Sequence, residues 1–547
     1  MKLFVEYYRP YPETLFVQIY TKPFSEELLE KLVQYVFPND SSQYRYTEGP
    51  ILVTDASYYD KIHEWILTLG RQSLNIPPPK IVKYIQNTPP LTLLKCPPEH
   101  EIAVLKPHQN DSVYTVIQSR LKRVLLALDQ GLGKSLVSLS IMRQWVPNGR
   151  VLIICPATLR ENWKHEIEKW FGVADISIRI LDKVKDVTPG DFSSNFTICS
   201  YTFIRIVMKR MGDKFPVHGG IIVDEAHNIK TYSSDQTKAV RKAIEKSLHT
   251  LLLTGTPIPN CHVEAYTPLH VLVGKQHFLS CTDFKKRYCD YKFDMFLGQH
   301  TARGSECSAE LSLLLHTRMI RILKSQVMDT LPKKLRYQVR IENDDQTVKN
   351  LSKLIAQGDH SASTISECLQ EIGRVKIHST ILYILEYLVQ HPNVTHTVVF
   401  YYHKHVGNEL FNNLEGVRPC TIRIDGETPT HKRQGMIDSF LESPGGIALL
   451  TIGTCNTGLN MPTIKTVFFA ELDFVPAKLI QCEDRFHRLT SVGSDVNYYY
   501  LILQDSADDR ILRILDKKMR IVKELHSVEC TKRRRIDAGE ILGHTNG

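Results

Sequence analysis

A lysine placed just after a tight glycine turn, between an apolar strand and a helix, is positioned to neutralise phosphate charge. Residues 125–139 have that form: an apolar run, then Gly131-Leu132-Gly133-Lys134-Ser135, then a helical pattern. Glycines let backbone N–H groups face phosphate oxygens, and a helix start adds positive potential there. Lys134 is therefore expected to grip the β and γ phosphates of ATP, and the Ser135 hydroxyl to sit on Mg²⁺. Asp129, Gln130, Gly131, Leu132 and Gly133 make up the loop around the nucleotide. The strict phosphate-loop pattern asks for glycine where this chain has Leu128, so the loop alone leaves an ordinary turn before a helix as the alternative.

About ninety residues after Lys134, the apolar run 219–223 ends in Asp224-Glu225-Ala226-His227. A carboxylate at a strand end can hold Mg²⁺, and a second beside it can polarise the attacking water. Asp224 is assigned to the metal and Glu225 to the water. An isolated acidic pair is more often a helix cap. Following Lys134 within one α/β unit, it points to a nucleoside triphosphatase, with a small-molecule kinase as the alternative.

Two further clusters narrow this reading. Thr254-Gly-Thr-Pro257 follows an apolar strand, where small hydroxyl residues could hydrogen-bond the acidic pair and link hydrolysis to movement. By itself it is a common turn. Gln481, Arg485 and Arg488 sit at i, i+4 and i+7, one face of an expected helix. Two forked guanidiniums suit charge developing on a transferring phosphoryl group. A surface salt-bridge ladder with Glu483 and Asp484 is the alternative.

The elements that must position these groups follow from periodicity. The 547 residues are too many for one core. Residues 1–95 mix short β-like runs (15–20, 51–53) with helical stretches (26–36, 58–69) and end in proline-rich segments, which reads as a small α+β accessory domain and linker. Residues 96–275 alternate apolar strands with helices, the pattern of a parallel sheet covered on both faces. Residues 276–375 read as a basic helical insertion with no strand signal through 340. Alternation resumes over 376–525, and 526–547 form a basic flexible tail carrying Lys532–Arg535. The fold class is α/β: two parallel-sheet lobes with helical insertions behind a small α+β domain.

With 42% hydrophobic and 23% charged residues, the composition is that of an ordinary globular protein. Lys plus Arg is 68 against 59 Asp plus Glu, a net +9 that permits a polyanionic partner. The twelve cysteines form no Cys-x-x-Cys pair, so no zinc module is expected. No apolar run of about 18 residues suggests a membrane span.

In this order the motifs resemble superfamily-two helicases, and among them the Swi/Snf-related DNA translocases. The resemblance covers roughly residues 100–525. Leu105-Lys-Pro-His-Gln109 looks like the family's glutamine motif, which implies that Gln109 contacts adenine. Ala127 to Ser135 resembles its phosphate loop, with Leu128, Gln130 and Ser135 as departures. Pro156-Ala-Thr-Leu with Asn162, Trp163 and Glu166 looks like the DNA-contacting segment of the first lobe. Met319-Ile-Arg-Ile-Leu-Lys-Ser-Gln-Val resembles the basic helical segment between lobes.

Phe400 to Lys404, Ile424 to Pro429 with Arg433, Thr457-Gly458-Leu-Asn460 and Phe469 to Pro476 resemble second-lobe motifs. Gln481 to Arg488 is most similar to the annealing-helicase (HepA-related) branch, although Leu489-Thr-Ser491 departs from it. The resemblance implies two RecA-like lobes with ATP in the cleft, bound also by His227 and Gly458. Lys134, Asp224 and Glu225 would come from one lobe and Gln481, Arg485 and Arg488 from the other. It further implies double-stranded or forked DNA as partner, a monomeric motor, and a nuclear location, or a viral replication site if the chain is virus-encoded. An RNA-directed helicase of the Asp-Glu-Ala-His type, a chromatin-remodelling ATPase and a non-catalytic DNA-binding scaffold are the alternatives.

Overall fold

The computed structural model describes residues 2–512 except 12–13, 23–25, 38–43, 47–51, 69–73, 148, 173–175, 183–186, 259–260, 295–298, 304, 328–332, 343, 357–361, 454–460, 462, 474–475, 488–494 and 510–511. Gly458, Arg488 and the tail Lys532–Arg535 lie outside the described residues. The chain divides into two compact units, one ending at Leu323 and the other beginning at Lys324.

The first unit is built on an all-parallel, seven-stranded sheet. Its order is Met319–Ile322, Arg123–Leu128, Ser247–Leu253, His218–Val223, Val151–Cys155, Phe196–Ser200, Ile178–Leu181. Every residue of Val151–Cys155 and of Phe196–Ser200 is buried, as near-continuous apolar strands require. Helices Lys134–Trp145, Arg160–Phe171, Tyr201–Met211, Asp235–Glu245 and Tyr266–Val273 pack on this sheet.

Within the same unit a second, five-stranded mixed sheet forms from the amino-terminal residues. Lys2–Tyr11 and Thr14–Lys22 pair as an antiparallel hairpin, a strand-forming role that the sequence of 2–11 did not announce. Val5, Tyr7, Val17 and Ile19 alternate into its core under helices Glu26–Val36 and Tyr59–Thr68. This sheet is joined to the helices Cys281–Tyr288 and Ser308–His316 by buried charge. Arg287 Nη2 lies 2.7 Å from Glu310 Oε2 and also donates to Val5 O at 2.6 Å, while Arg287 Nη1 donates to Asn75 Oδ1 at 3.0 Å. The Tyr7 N–H and the Tyr288 hydroxyl donate to the same carboxylate.

The stretch read as helical through 340 carries four strands. Asp290–Asp294 and Gln299–Arg303 form a hairpin, Met319–Ile322 is the edge of the seven-stranded sheet, and Lys334–Ile341 is the edge of another. Met319–Ile322 was expected to open a helical segment. Only four residues long, it shows no period of its own, and its pairing with Arg123–Leu128 decides its state. Lys334–Ile341 alternates polar and apolar residues, the mark of a half-exposed edge strand, beneath its basic character.

The second unit is a six-stranded all-parallel sheet: Lys334–Ile341, Val496–Leu503, Thr466–Phe469, His396–Tyr401, Gly446–Thr451, Cys420–Ile424. Helices Ala362–Gln390, Lys404–Leu414 and Thr430–Glu442 pack on it. Among the described residues no helix is long and apolar enough to cross a membrane.

Removing one partner of a buried pair leaves the other charge uncompensated, at a cost of about 3–5 kcal/mol. Glu310→Ala is therefore expected to lower the unfolding free energy of the first unit by that order, read from urea denaturation, and to speed proteolysis of the amino-terminal sheet. Lys238→Ala, which breaks only the exposed pair with Asp235, is expected to leave both unchanged.

Candidate active site

The phosphate loop leaves the buried strand Arg123–Leu128 and enters the helix Lys134–Trp145 through two glycines with positive φ, +87° at Gly131 and +83° at Gly133. At Gly133 a Cβ would also collide with the Gln109 amide nitrogen. Gln109 Nε2 donates to Leu132 O at 3.0 Å, and its Oε1 accepts from Lys106 N at 2.9 Å. Gln109, expected at adenine, thus fastens the loop through its side chain. Lys134 Nζ donates to Leu128 O at 3.0 Å. Burial pulls the Lys134 ammonium below the ordinary lysine value, and Glu225, Asp224 and Asp129 pull it back up.

The acidic pair sits where the strand His218–Val223 ends. Asp224 is buried, with Trp163 Nε1 donating to Oδ2 and Glu225 N donating to Oδ1, both at 2.9 Å. Burial raises the Asp224 carboxyl, as does the adjacent Glu225. The Tyr201 hydroxyl donates to Asp224 O at 2.5 Å, fixing the backbone as it turns. Glu225 itself takes a left-handed φ of +50°, unusual for a residue with a side chain. Its Oε2 lies 3.3 Å from His227 Nδ1, which is 3.5 Å from Thr254 Oγ1. The Thr-Gly-Thr turn therefore reaches the acidic pair through His227.

Two residues have roles that the sequence reading did not give them. Trp163, expected at a DNA surface, is only 3% exposed and orients Asp224 instead. Glu166 of the same segment accepts from Trp170 Nε1. Arg321, the single cation in the strand Met319–Ile322, lies beside the phosphate loop. Its Nη2 is 2.8 Å from Asp129 Oδ1, and its Nη1 donates to Ala127 O at 2.6 Å and Gly255 O at 3.1 Å. A cation within an apolar run was the available signal.

In the second unit the helix Pro476–Glu483 stops at Glu483, so the expected helical face from Gln481 through Arg485 to Arg488 does not form as a continuous helix. Arg485 N and Phe486 N bond three residues back, to Cys482 O and Glu483 O, which tightens the chain into a turn. Glu483 and Asp484 do not build a surface ladder either. Arg336 binds Glu483 through both forks, at 2.6 and 2.7 Å, and Lys334 reaches Glu483 at 3.1 Å and Asp484 at 2.9 Å. Lys324 Nζ lies 3.0 Å from Asp484 Oδ1 and donates to His487 O at 2.6 Å. Burial alone would raise Glu483, but Lys334 and Arg336 hold its carboxyl down to about 2. Arg485 Nε is buried with no hydrogen-bond partner among the described residues.

Other motif residues of this unit meet. Glu471 accepts from the N–H groups of Tyr402 and His403 at 2.7 and 2.8 Å, and lies 2.7 Å from His403 Nδ1. Arg433 donates to Thr428 O and Asp425 O, closing the Ile424–Pro429 turn.

A glycine turn carrying Lys134 and the acidic pair Asp224-Glu225 thus stand at the strand ends of one parallel sheet, and a second parallel sheet follows with Arg485 in a buried turn. A profile of the SNF2-related domain matches residues 64–394, and one of the helicase conserved C-terminal domain matches 379–490. The chain belongs to the SNF2-related family.

Over 432 residues it is 32% identical to the SWI/SNF-related matrix-associated actin-dependent regulator of chromatin subfamily A-like protein 1 homolog of Caenorhabditis elegans, covering 77% of this chain and 62% of that one. It is 31% identical to the Xenopus tropicalis protein of that name, over 76% of this chain and 44% of the other. With the DNA annealing helicase and endonuclease ZRANB3 of Bos taurus it shares 28% identity over 78% and 41%. The chain thus spans less than two thirds of these relatives' lengths. A solved Sulfolobus solfataricus SWI2/SNF2 ATPase core in complex with dsDNA overlaps 83% of this chain at 20% identity with a TM-score of 0.38, so family membership rests on the sequence matches.

Gly133→Ala forces a side chain into a left-handed backbone and against Gln109. Strain of about 1–3 kcal/mol is expected to weaken binding of a fluorescent ATP analogue by about tenfold or more. Gly172→Ala, at φ +78° with nothing within 4 Å of the added Cβ, is the control and leaves binding unchanged.

Glu483 has a lowered folded pKa, so its contribution to stability is present above its ordinary 4.5 and drains away as pH falls toward about 2. Urea midpoints of the second unit are expected to fall across that window, and less steeply in Arg336→Met.

Proposed function

We propose that this chain is a DNA-stimulated ATPase that translocates on double-stranded or forked DNA and drives annealing or fork remodelling. One observation carries the reading: a circuit of contacts ties the hydrolytic carboxylate to the phosphate loop. Glu225 meets His227, His227 meets Thr254, and Arg321 joins Gly255 of that same turn to Asp129 of the loop. These contacts give hydrolysis at Glu225 a route to the phosphate loop, which supports the motor reading. Gln130 Oε1 and Thr256 Oγ1, buried without a hydrogen-bond partner among the described residues, add polar groups suited to a nucleotide.

Lys134 neutralises the β and γ phosphates. Glu225 takes the proton from the water that attacks the γ phosphorus, and ADP leaves with the electrons of the broken P–O bond. The buried carboxylate of Asp224 and the Ser135 hydroxyl fit Mg²⁺, which keeps waters and few protein ligands and would supply charge neutralisation of the phosphates. Arg485 and Arg488 are assigned to the charge developing on the transferred phosphoryl group, Gln481 to the same motif, and Gly458 to the nucleotide. DNA is held mainly through backbone phosphates, so binding falls with salt and is largely indifferent to sequence. The relatives named for annealing DNA support the rewinding role, and a nuclear site of action goes with it.

The experiment is ATP turnover with single-stranded, duplex, forked and RNA cofactors. Duplex or forked DNA is expected to raise turnover most. Stimulation by RNA above DNA would point instead to an RNA-directed helicase, and no stimulation by any DNA would sink the proposal. Glu225→Gln is expected to keep nucleotide binding and lose hydrolysis by about 100-fold or more.

A further inference from the structure

The strand Arg123–Leu128 leads into the phosphate loop at one end and starts beside a cavity at the other. At about 3.3 Å per residue, the two lie roughly 17 Å apart. Arg123, Arg241, Glu245, His270, Lys275 and His277 line the cavity, all within the first unit. Its volume of about 250 Å³ is below that of sites for drug-sized ligands. The space suits one small charged group.

Arg241 lies on the helix Asp235–Glu245, with its guanidinium 4.0 Å from the centre of the Tyr232 ring. Stacking holds the fork in place and leaves its N–H edge unspent. Among the described residues Arg241 makes no hydrogen bond or ion pair, not even with Glu245 one turn on, and neither does the Lys275 ammonium. The Tyr232 ring also packs against His270, with 5.3 Å between ring centres. His270 is 7% exposed, and its imidazole has no hydrogen-bond partner among the described residues. Burial, with Arg241 and Lys275 nearby, holds that imidazole down to about 4, so it lines the cavity as a neutral N–H donor. Capping of a helix end does not account for these groups. The helix Tyr266–Val273 ends here, but Gly274 N already donates to His270 O and Arg123 Nη1 to Val271 O.

We propose that this cavity binds a phosphate monoester, carried by a free small molecule or by the end of a DNA strand. Three cations, Arg123, Arg241 and Lys275, less the one carboxylate of Glu245 leave a charge of +2 on the lining. A phosphate monoester carries about −1.5 to −2 near pH 7, whereas each phosphodiester of a DNA backbone carries a single negative charge. The Arg241 fork takes two phosphate oxygens, Lys275 and Arg123 balance the remaining charge, and His270 donates one hydrogen bond. The site rests on none of the nucleotide assignments.

The test titrates inorganic phosphate into the full chain by calorimetry, with a non-hydrolysable ATP analogue filling the nucleotide site. Saturable binding at one site is expected, weakened about tenfold or more in Arg241→Met. Lys242→Met removes a neighbouring exposed cation of the same helix and is expected to stay within about twofold. Both variants are expected to bind the ATP analogue within about threefold of wild type, which shows the first unit intact. A duplex with 5′-phosphate ends is then compared with the same duplex ending in 5′-hydroxyls. A gain of about tenfold from the terminal phosphate, lost in Arg241→Met, supports the proposal with the DNA end as the source. Binding of inorganic phosphate without preference for the phosphorylated end supports it with a free small molecule as the source. No binding of inorganic phosphate, together with equal affinity for the two duplexes, overturns it. So does phosphate binding that Arg241→Met leaves unchanged.

Discussion

A parallel sheet covered on both faces has no place inside it for a charge, so polar atoms collect where its strands end. In the first unit this constraint sets the order of everything else. The strands Arg123–Leu128, Ser247–Leu253 and His218–Val223 are neighbours, and they release in turn the phosphate loop, the Thr-Gly-Thr segment and the acidic pair. Segments more than a hundred residues apart in sequence, Asp129 and Gly255, come within reach of one guanidinium for that reason. The sheet also fixes how the groups are tuned. Asp224 is raised because it sits at the rim of a dry interior, and the Trp163 indole offsets part of that burden with a directed hydrogen bond.

Buried ion clusters do the remaining positioning. Glu483 and Asp484 draw three cations from distant residues into the second unit's interior: Lys324, Lys334 and Arg336. These pairs flank the turn that carries Arg485. Arg287 and Glu310 play the corresponding part between the amino-terminal sheet and the helices of the first unit. Such pairs gain little net stability over apolar packing, but they tolerate only one geometry. Each cluster joins segments of one unit that lie far apart in the chain.

The parts of this arrangement written locally could be read from the sequence. Apolar runs such as 151–155 and 196–200 announced the parallel sheets, and Gly131 and Gly133 announced the tight turn into the helix that starts at Lys134. What was not legible depended on partners far away in the chain. Met319–Ile322 is a strand because Arg123–Leu128 lies beside it. Trp163 reads as surface in a polar helix until the fold brings Asp224 to its indole. The expected helix does not continue to Arg485, because the chain after Glu483 tightens into bonds three residues back, which depends on its surroundings and not on local spacing. Gln109 was placed near the nucleotide from its motif, yet its bond to Leu132 could not be inferred from spacing.

The union of the amino-terminal sheet with the rest of its unit bears on how this chain can be dissected. Asn75 and Val5 supply carbonyls to a guanidinium whose own backbone lies more than two hundred residues downstream. A shortened version beginning at the phosphate-loop domain would strip those acceptors from Arg287 and open the floor beneath Glu310. A defect in such a fragment would then report a damaged first unit, not the absence of a separable module. The described residues of the amino-terminal sheet are thus part of the packing that holds Arg287 and Glu310 in place.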